Sequence, residues 1–225
     1  MKIPELKHLP ALALGILSIA ATAQAELITS TAGLPPHDGV YLGENVHQLY
    51  GGAALQFLLS LPQHKALVDE LKLKQGTDQQ ETFFSTLDAN LEVLVNGLSV
   101  QNGPIQANGL TTTIVHGKIG NTTGAFNTEM LSLNLSGGTL PPGVMIRESP
   151  TLPSLGVTSV QDIGGGLYRI DSFFDVFTEL SIDGGQTWMP SNNGSGHVTL
   201  VPEPTSMSLL AAGFVGMMGF IRRRR

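Results

Sequence analysis

Apolar and polar residues alternate along several segments of the chain, and this pattern gives the first indication of its fold. Between residues 129 and 136, Leu131, Leu133 and Leu135 are separated by Ser132 and Asn134. Successive side chains of a strand point to opposite faces, so such a run buries one face and leaves the other in water. The pattern therefore predicts a half-buried antiparallel strand.

A longer run between residues 168 and 182 places Phe174, Val176, Thr178, Leu180 and Ile182 on one face of a strand. Shorter runs of the same kind predict strands at residues 40–42, 91–95, 111–116, 144–147 and 197–201. Residues 64–74 fit a helix or a strand equally well, because a short apolar run does not distinguish the two. Residues 76–80 and 151–159 are expected to be irregular.

The number of short strands, separated by turns rich in glycine and proline, favours a mainly β fold. We expect an antiparallel β-sandwich or jelly-roll-like single domain over residues 26–200. A domain of this length buries a sizeable core without covalent crosslinks. The chain has no cysteine, which excludes disulfides, thiolate catalysis and cysteine-ligated metals.

The N-terminal end has the organisation of a signal peptide. Lys2 and Lys7 precede an apolar run over residues 9–21, and Ala23 and Ala25 form the small-x-small pattern that signal peptidase accepts. The sequence predicts a signal helix over residues 1–25 and cleavage after Ala25. The alternative is an uncleaved N-terminal anchor.

The C-terminal end has three parts in a fixed order. Pro202, Glu203 and Pro204 are expected to form a stiff, exposed break after the folded chain. Residues 206–221 carry no charge, and Arg222, Arg223, Arg224 and Arg225 follow. Arginines at one end of an apolar segment stay on the cytoplasmic side of a membrane. We therefore predict a transmembrane helix at residues 206–221, with a buried terminal core helix as the alternative. A helix that spans the membrane could be a temporary or a permanent anchor.

This order of parts resembles the PEP-CTERM sorting signal of Gram-negative bacteria. The resemblance covers residues 201–225. It implies that a membrane transpeptidase of the exosortase type recognises Pro202, Glu203 and Pro204, removes the tail and passes the body to the cell surface. In that case the three residues are recognition elements for another enzyme and perform no chemistry themselves.

The charge of the body differs from that of the whole chain. Residues 26–204 contain six Lys and Arg residues and seventeen Asp and Glu residues, so their net charge is near −11, against −6 for the full chain. An acidic body repels nucleic acid and anionic lipid headgroups. We expect no nucleic-acid partner and a soluble surface protein.

One local motif lies near the end of the long run. Ser181, Asp183, Gly185 and Trp188 match the Asp-box pattern Ser-x-Asp-x-Gly-x-Thr-Trp. Asp183 is suited to accept hydrogen bonds from turn backbone groups, so the motif predicts a structural hairpin turn. The alternative is the multi-bladed propeller of sialidase-like enzymes, which a single copy cannot build. We expect no cofactor, with Ca²⁺ at Asp183 as the one weak metal candidate.

No other group of residues has the spacing of a known catalytic or metal site. The histidines lack metal-ligand spacing, and no nucleophile elbow, phosphate loop or calcium loop is present. Arg147 and Glu148 are expected to pair with each other, with Glu129 or with Asp171. A weaker resemblance over residues 110–200, to a domain recurrent in proteins with this tail, implies no assigned activity.

The sequence thus predicts a protein that is not an enzyme and is displayed at the cell surface or in the extracellular matrix. The resemblance of its tail implies a setting in exopolysaccharide or biofilm. The alternatives are a secreted carbohydrate-binding module and a carbohydrate-active enzyme. The latter would need two carboxyl groups roughly 5 to 9.5 Å apart in a groove, and no catalytic residue is identified.

Overall fold

The computed structural model describes residues 26–203, and this part of the chain forms thirteen strands and no helix. Every pair of neighbouring strands is antiparallel. These features confirm a mainly β, antiparallel fold. The predicted signal helix and transmembrane helix lie outside the described residues, and no helix within residues 26–203 could span a bilayer.

The strands in chain order are β1 (Leu27–Thr29), β2 (Gly39–Leu42), β3 (His47–Gly52), β4 (Leu55–Gln75), β5 (Asp78–Val95), β6 (Leu98–Val115), β7 (Gly124–Ser136), β8 (Met145–Glu148), β9 (Ser154–Gly164), β10 (Leu167–Val176), β11 (Thr178–Ser181), β12 (Met189–Pro190) and β13 (Gly196–Pro202).

Eight of these strands form one closed sheet. β2 pairs with β4, and the pairing continues through β5, β6, β7, β9, β10 and β13 before returning to β2. The inward side chains of this ring form a single hydrophobic cluster. The sandwich expected from the sequence would consist of two separate sheets, whereas the observed pairings join all strands into one.

Three long strands explain this difference. β4, β5 and β6 contain 21, 18 and 18 residues, so each crosses the whole molecule. Bulges follow Ser60, Ala66 and Asp69 in β4, and a bulge bends a strand and increases its twist. Because a bulge also resets the alternation of side chains, these strands look like several shorter ones in the sequence. The 64–74 segment, left open between helix and strand, belongs to β4.

The remaining strands extend the sheet at its two ends. At one end, β3 pairs with the first part of β4, and β8 joins β7 to β11 and β12. We call this the distal end, and it also carries the Asn96–Gly97 turn. The opposite, proximal end carries the turn at Gly76, the start of β2 at Gly39 and the end of β13 at Pro202.

Buried polar side chains connect strands inside the ring. The Tyr41 hydroxyl donates to Ser172 Oγ at 3.0 Å, and Ser172 Oγ lies 2.7 Å from Thr158 Oγ1. Near the distal end, the Tyr50 hydroxyl of β3 lies 2.6 Å from Thr178 Oγ1 of β11. Buried polar groups are costly unless they are hydrogen-bonded, so these contacts stabilise the packing of different strands against one another.

Several sequence expectations about local structure are wrong. Ile182, expected on the inward face of a long strand, is 40% exposed because β11 ends at Ser181. Leu133 and Leu135 are buried as predicted, but Leu131 is 40% exposed. A bulge lies opposite the step between Thr112 and Thr113, so Leu131 leaves the inward row and Met130 takes the inward position. Residues 151–159 were expected to be irregular, yet most of them belong to β9, which pairs with β7 and β10.

The expected loop at residues 76–80 is confined to Gly76 and Thr77, because β5 already begins at Asp78. Gly76 has a φ of 63°, a conformation that glycine adopts without steric cost. A two-residue turn therefore suffices, and the polar residues after it are strand residues.

Candidate functional site

The first two residues of the predicted recognition motif are held by the folded body. Pro202 is the last residue of β13 and pairs with Gly39 of β2. The Glu203 backbone N–H donates to the Asp38 carbonyl oxygen at 3.4 Å. The Glu203 carboxylate forms an ion pair with Lys65, with 2.7 Å between Oε1 and Nζ. The motif therefore begins inside the sheet, not in a free linker.

The contact between Lys65 and Glu203 was not predicted from the sequence. Lys65 lies in β4, immediately after the buried His64, and points to the outer surface of the sheet. The side chains of Lys65 and Glu203 are 31% and 25% exposed. No local pattern marks Lys65, because only the pairing of β2 with both β4 and β13 brings it to the end of the chain.

The other residues of the predicted sorting machinery lie outside the described residues. These are Ala23 and Ala25 at the predicted cleavage site, Pro204, the apolar segment 206–221, and Arg222, Arg223, Arg224 and Arg225. Their roles stay predictions.

The Asp183 turn is a compact hydrogen-bonded unit at the distal end. Asp183 Oδ1 accepts hydrogen bonds from the Ser181 hydroxyl at 2.8 Å and from the backbone N–H groups of Gln186 and Thr187 at 2.9 Å. The Thr187 hydroxyl donates to Oδ2 at 2.5 Å. The Trp188 indole donates to the Gly185 carbonyl oxygen at 3.0 Å, which folds the ring over the turn.

These donors also determine the charge state of Asp183. The hydroxyl and backbone N–H of Thr187, followed by the hydroxyl of Ser181, lower the pKa of Asp183 to about 2. Oδ1 accepts three hydrogen bonds and Oδ2 accepts one, so Ca²⁺ at Asp183 would compete with donors that already stabilise the turn. Within residues 26–203, no three His, Asp or Glu side chains converge as a metal site requires.

The pairing of Arg147 differs from the sequence expectation. Arg147 Nη2 lies 2.6 Å from Glu179 Oε2, and its guanidinium lies 4.1 Å from the centre of the Trp188 ring. The reason is register, since Arg147 and Glu179 are direct neighbours across β8 and β11. Arg147 therefore connects the sheet to the Asp183 turn, and the expected pairing with Glu148, Glu129 or Asp171 is wrong.

Glu148 lies on the opposite face of β8 and is 8% exposed. Its Oε1 accepts a hydrogen bond from the Ser154 hydroxyl at 3.0 Å. Burial raises the pKa of Glu148 to about 7, although the Ser154 hydrogen bond acts in the opposite direction. No local pattern in the sequence marks this buried acid, because Glu148 occurs in a polar stretch.

A shallow groove crosses the outer face of β9, β10 and β13. Its lining includes Phe173, His197, Asp171 and Glu26. The rings of Phe173 and His197 lie 5.2 Å apart, and His197 Nδ1 lies 2.7 Å from Asp175 Oδ1. The groove thus combines an aromatic surface with carboxylates, which are features that bind polar ligands.

Comparison with known proteins gives one match. The searches of curated proteins and of solved structures find no match to this chain. The family model described as the PEP-CTERM protein-sorting motif matches residues 200–225. This motif implies export, a membrane-anchored sorting intermediate and processing by machinery of the exosortase type. The match begins within β13 and includes Glu203, so the chain carries a PEP-CTERM protein-sorting motif that starts in the last strand of its body.

Proposed function

We propose that this protein is a structural or interaction component of the cell surface or extracellular matrix, associated with exopolysaccharide or biofilm. The observation that carries this proposal is the sorting motif at residues 200–225, joined directly to the last strand of a closed sheet. The acidic charge of the body, near −11 over residues 26–204, suits a soluble displayed domain.

In this proposal the chain is exported through its signal peptide and held in the inner membrane by residues 206–221. An exosortase-type transpeptidase then cuts near Pro202, Glu203 and Pro204. The proposal that the body is not an enzyme is supported by the partners of its charged groups. Asp183 and Arg147 are both engaged in contacts that stabilise the distal end.

The experiment that tests sorting is the intact mass of the protein from the surface fraction of its native host. A mass that starts at Glu26 and ends near Pro204 is expected, with any excess identifying a glycan or lipid. A matched variant, Glu203→Gln, should accumulate with its tail if the carboxylate is recognised. A surface-fraction mass that still includes Arg225 would refute the proposed processing.

The groove beside Phe173 supports a second candidate function, a carbohydrate-binding module. Aromatic rings stack on the apolar faces of sugars, and neighbouring carboxylates accept hydrogen bonds from sugar hydroxyls. Binding of the host's own exopolysaccharide, measured by calorimetry, should be lost in Phe173→Ala. Trp188→Ala, at the distal end, is the matched control and should bind like the wild type. Equal binding by both variants would exclude the groove as the carbohydrate-binding site.

A further inference from the structure

The outer surface of the sheet carries an exposed apolar face near its proximal end. We define this apolar face by Val68, Leu71 and Leu73 of β4, Phe84 of β5 and Leu110 of β6, which are between 38% and 59% exposed. Val68 pairs directly with Phe84, and Phe84 pairs directly with Leu110. Directly opposite side chains on one face of a sheet lie in contact range. The face is therefore continuous across three strands.

The two central rows of this face carry no charge, although the body is acidic, whereas the row of Leu73 continues through Gln80 and Ile114 to Glu129. The row that begins with Val68, Phe84 and Leu110 continues into β7 as Asn134. The next row runs from Leu71 through a pair of threonines to Ser132. Neither row contains an ionisable group. A contiguous uncharged and apolar surface of this kind marks an interaction site.

The edge of β4 beside this face is poorly suited to pairing with a strand from another chain. Two bulges interrupt β4, after Ala66 and after Asp69, and Lys72 and Lys74 follow. Bulges and lysines are the features that protect edge strands from strand addition. The occupant of the apolar face is therefore better sought among partners that contact side chains.

The position of Glu203, the last described residue, indicates which partner the apolar face contacts. Lys65, which holds Glu203, lies three residues before Val68 on the same strand. Only Pro204 and Thr205 separate Glu203 from the uncharged segment that begins at Ser206. An extended chain covers at most about 3.6 Å per residue, so the distance from Glu203 to Ser206 is at most about 11 Å. The apolar face is therefore close to the structure into which the segment 206–221 inserts.

We propose that the apolar face rests on the interface of the lipid bilayer while the tail anchors the chain. This inference rests on the proposed membrane-anchored intermediate. The Lys65–Glu203 ion pair fixes the orientation of the body, and the short connection brings the five apolar side chains to the boundary between headgroups and acyl chains. After cleavage of the tail, this attraction alone is weak, because the body is acidic and lacks a basic cluster.

The chain contains no cysteine, so single labelling sites can be introduced without background. Val68→Cys places an environment-sensitive dye on the apolar face. Leu98→Cys is the matched control, because Leu98 is 73% exposed and lies beside the distal Asn96–Gly97 turn. Both full-length proteins are reconstituted in phosphatidylcholine vesicles, with and without lipids that carry a quencher near the headgroup.

The expected result is that quencher lipids reduce the emission at position 68 at least threefold more than at position 98. Equal quenching at the two positions, in protein that floats with the vesicles, would refute the proposal that the apolar face contacts lipid. It would not contradict anchoring by the tail. Failure of the full-length chain to float would refute the anchored intermediate itself, and with it this inference.

A second measurement tests whether another copy of the chain covers the apolar face. In a chain that ends at Glu203, without vesicles, emission at position 68 should match that of a water-exposed dye at every protein concentration. A blue shift that grows with concentration, together with a dimer in sedimentation, would show that a second copy covers the face. That result would overturn the proposal.

Discussion

The buried Glu148 provides the sharpest energetic prediction. Its carboxyl group is 8% exposed and its pKa is raised from 4.5 to about 7, chiefly by burial. In the unfolded chain the same group ionises near pH 4.5. Between these two values the folded state holds a proton that the unfolded state has lost, so the free energy of unfolding falls as the pH rises through this window.

The magnitude follows from the size of the shift. One pKa unit corresponds to about 1.4 kcal/mol, so the ionisation of Glu148 costs the folded state up to about 3 kcal/mol above pH 7. Glu148→Gln keeps an oxygen that accepts the Ser154 hydrogen bond and removes the charge. We expect the variant and the wild type to have similar stability at pH 4.5, and the variant to be more stable at pH 8.

The comparison must be made between variant and wild type at each pH, because other groups titrate in the same range. Burial also raises the pKa of Glu81 to about 7, which adds a slope of the same sign. Burial lowers the pKa of His64 to about 4, so stability is lost as the pH falls from about 6.5 towards 4. These contributions are present in both proteins and cancel in the difference.

The assay is urea unfolding of residues 26–203, which contain every described strand, followed by fluorescence of the single tryptophan. Trp188 lies against Arg147, the residue before Glu148 in β8, so its fluorescence reports on unfolding of this part of the sheet. If the stability difference between Glu148→Gln and wild type is the same at pH 4.5 and pH 8, the pKa of Glu148 is not raised and the reasoning fails.

Three further predictions concern other parts of the sheet. Asp183→Ala removes the acceptor of the turn and should lower the Tm, because the donors of Ser181, Gln186 and Thr187 lose their partner; an unchanged Tm would contradict this. Gly109→Ala would place a Cβ atom within van der Waals overlap of the Asn134 carbonyl oxygen and should cost about 3 kcal/mol in urea unfolding, whereas a loss below 1 kcal/mol would show that β6 and β7 separate easily. Lys65→Met frees Glu203 and should accelerate tail removal in pulse-chase labelling while changing stability by less than about 1 kcal/mol; an unchanged rate would show that the ion pair does not limit processing.

The sequence predicted the parts of the fold in which alternation is uninterrupted. Phe174, Val176, Thr178 and Leu180 are buried as the pattern indicates, and the Asn96–Gly97 turn follows a strand as expected. Over residues 174–180 the local pattern and the tertiary environment agree, whereas Ile182 lies beyond the end of β11 and is 40% exposed.

The failures occur where the backbone departs from ideal geometry or where contacts are distant. Leu131 was assigned to the core because its neighbours alternate, but a bulge changes the face to which it points. The pairing of β13 with β2 joins residues about 160 positions apart, and no local pattern contains that information. The Lys65–Glu203 ion pair depends on this pairing, so it was equally hidden.

The closing pair of strands has a consequence for the timing of folding during export. The ring requires β13, which is the last described strand to be synthesised, to insert between β2 and β10. Until residues 196–202 have left the translocation channel, β2 and β10 lack a shared neighbour. The sheet is therefore completed only when the sorting motif itself is emerging. Maturation of the body and presentation of its tail become consecutive events set by the order of residues in the chain.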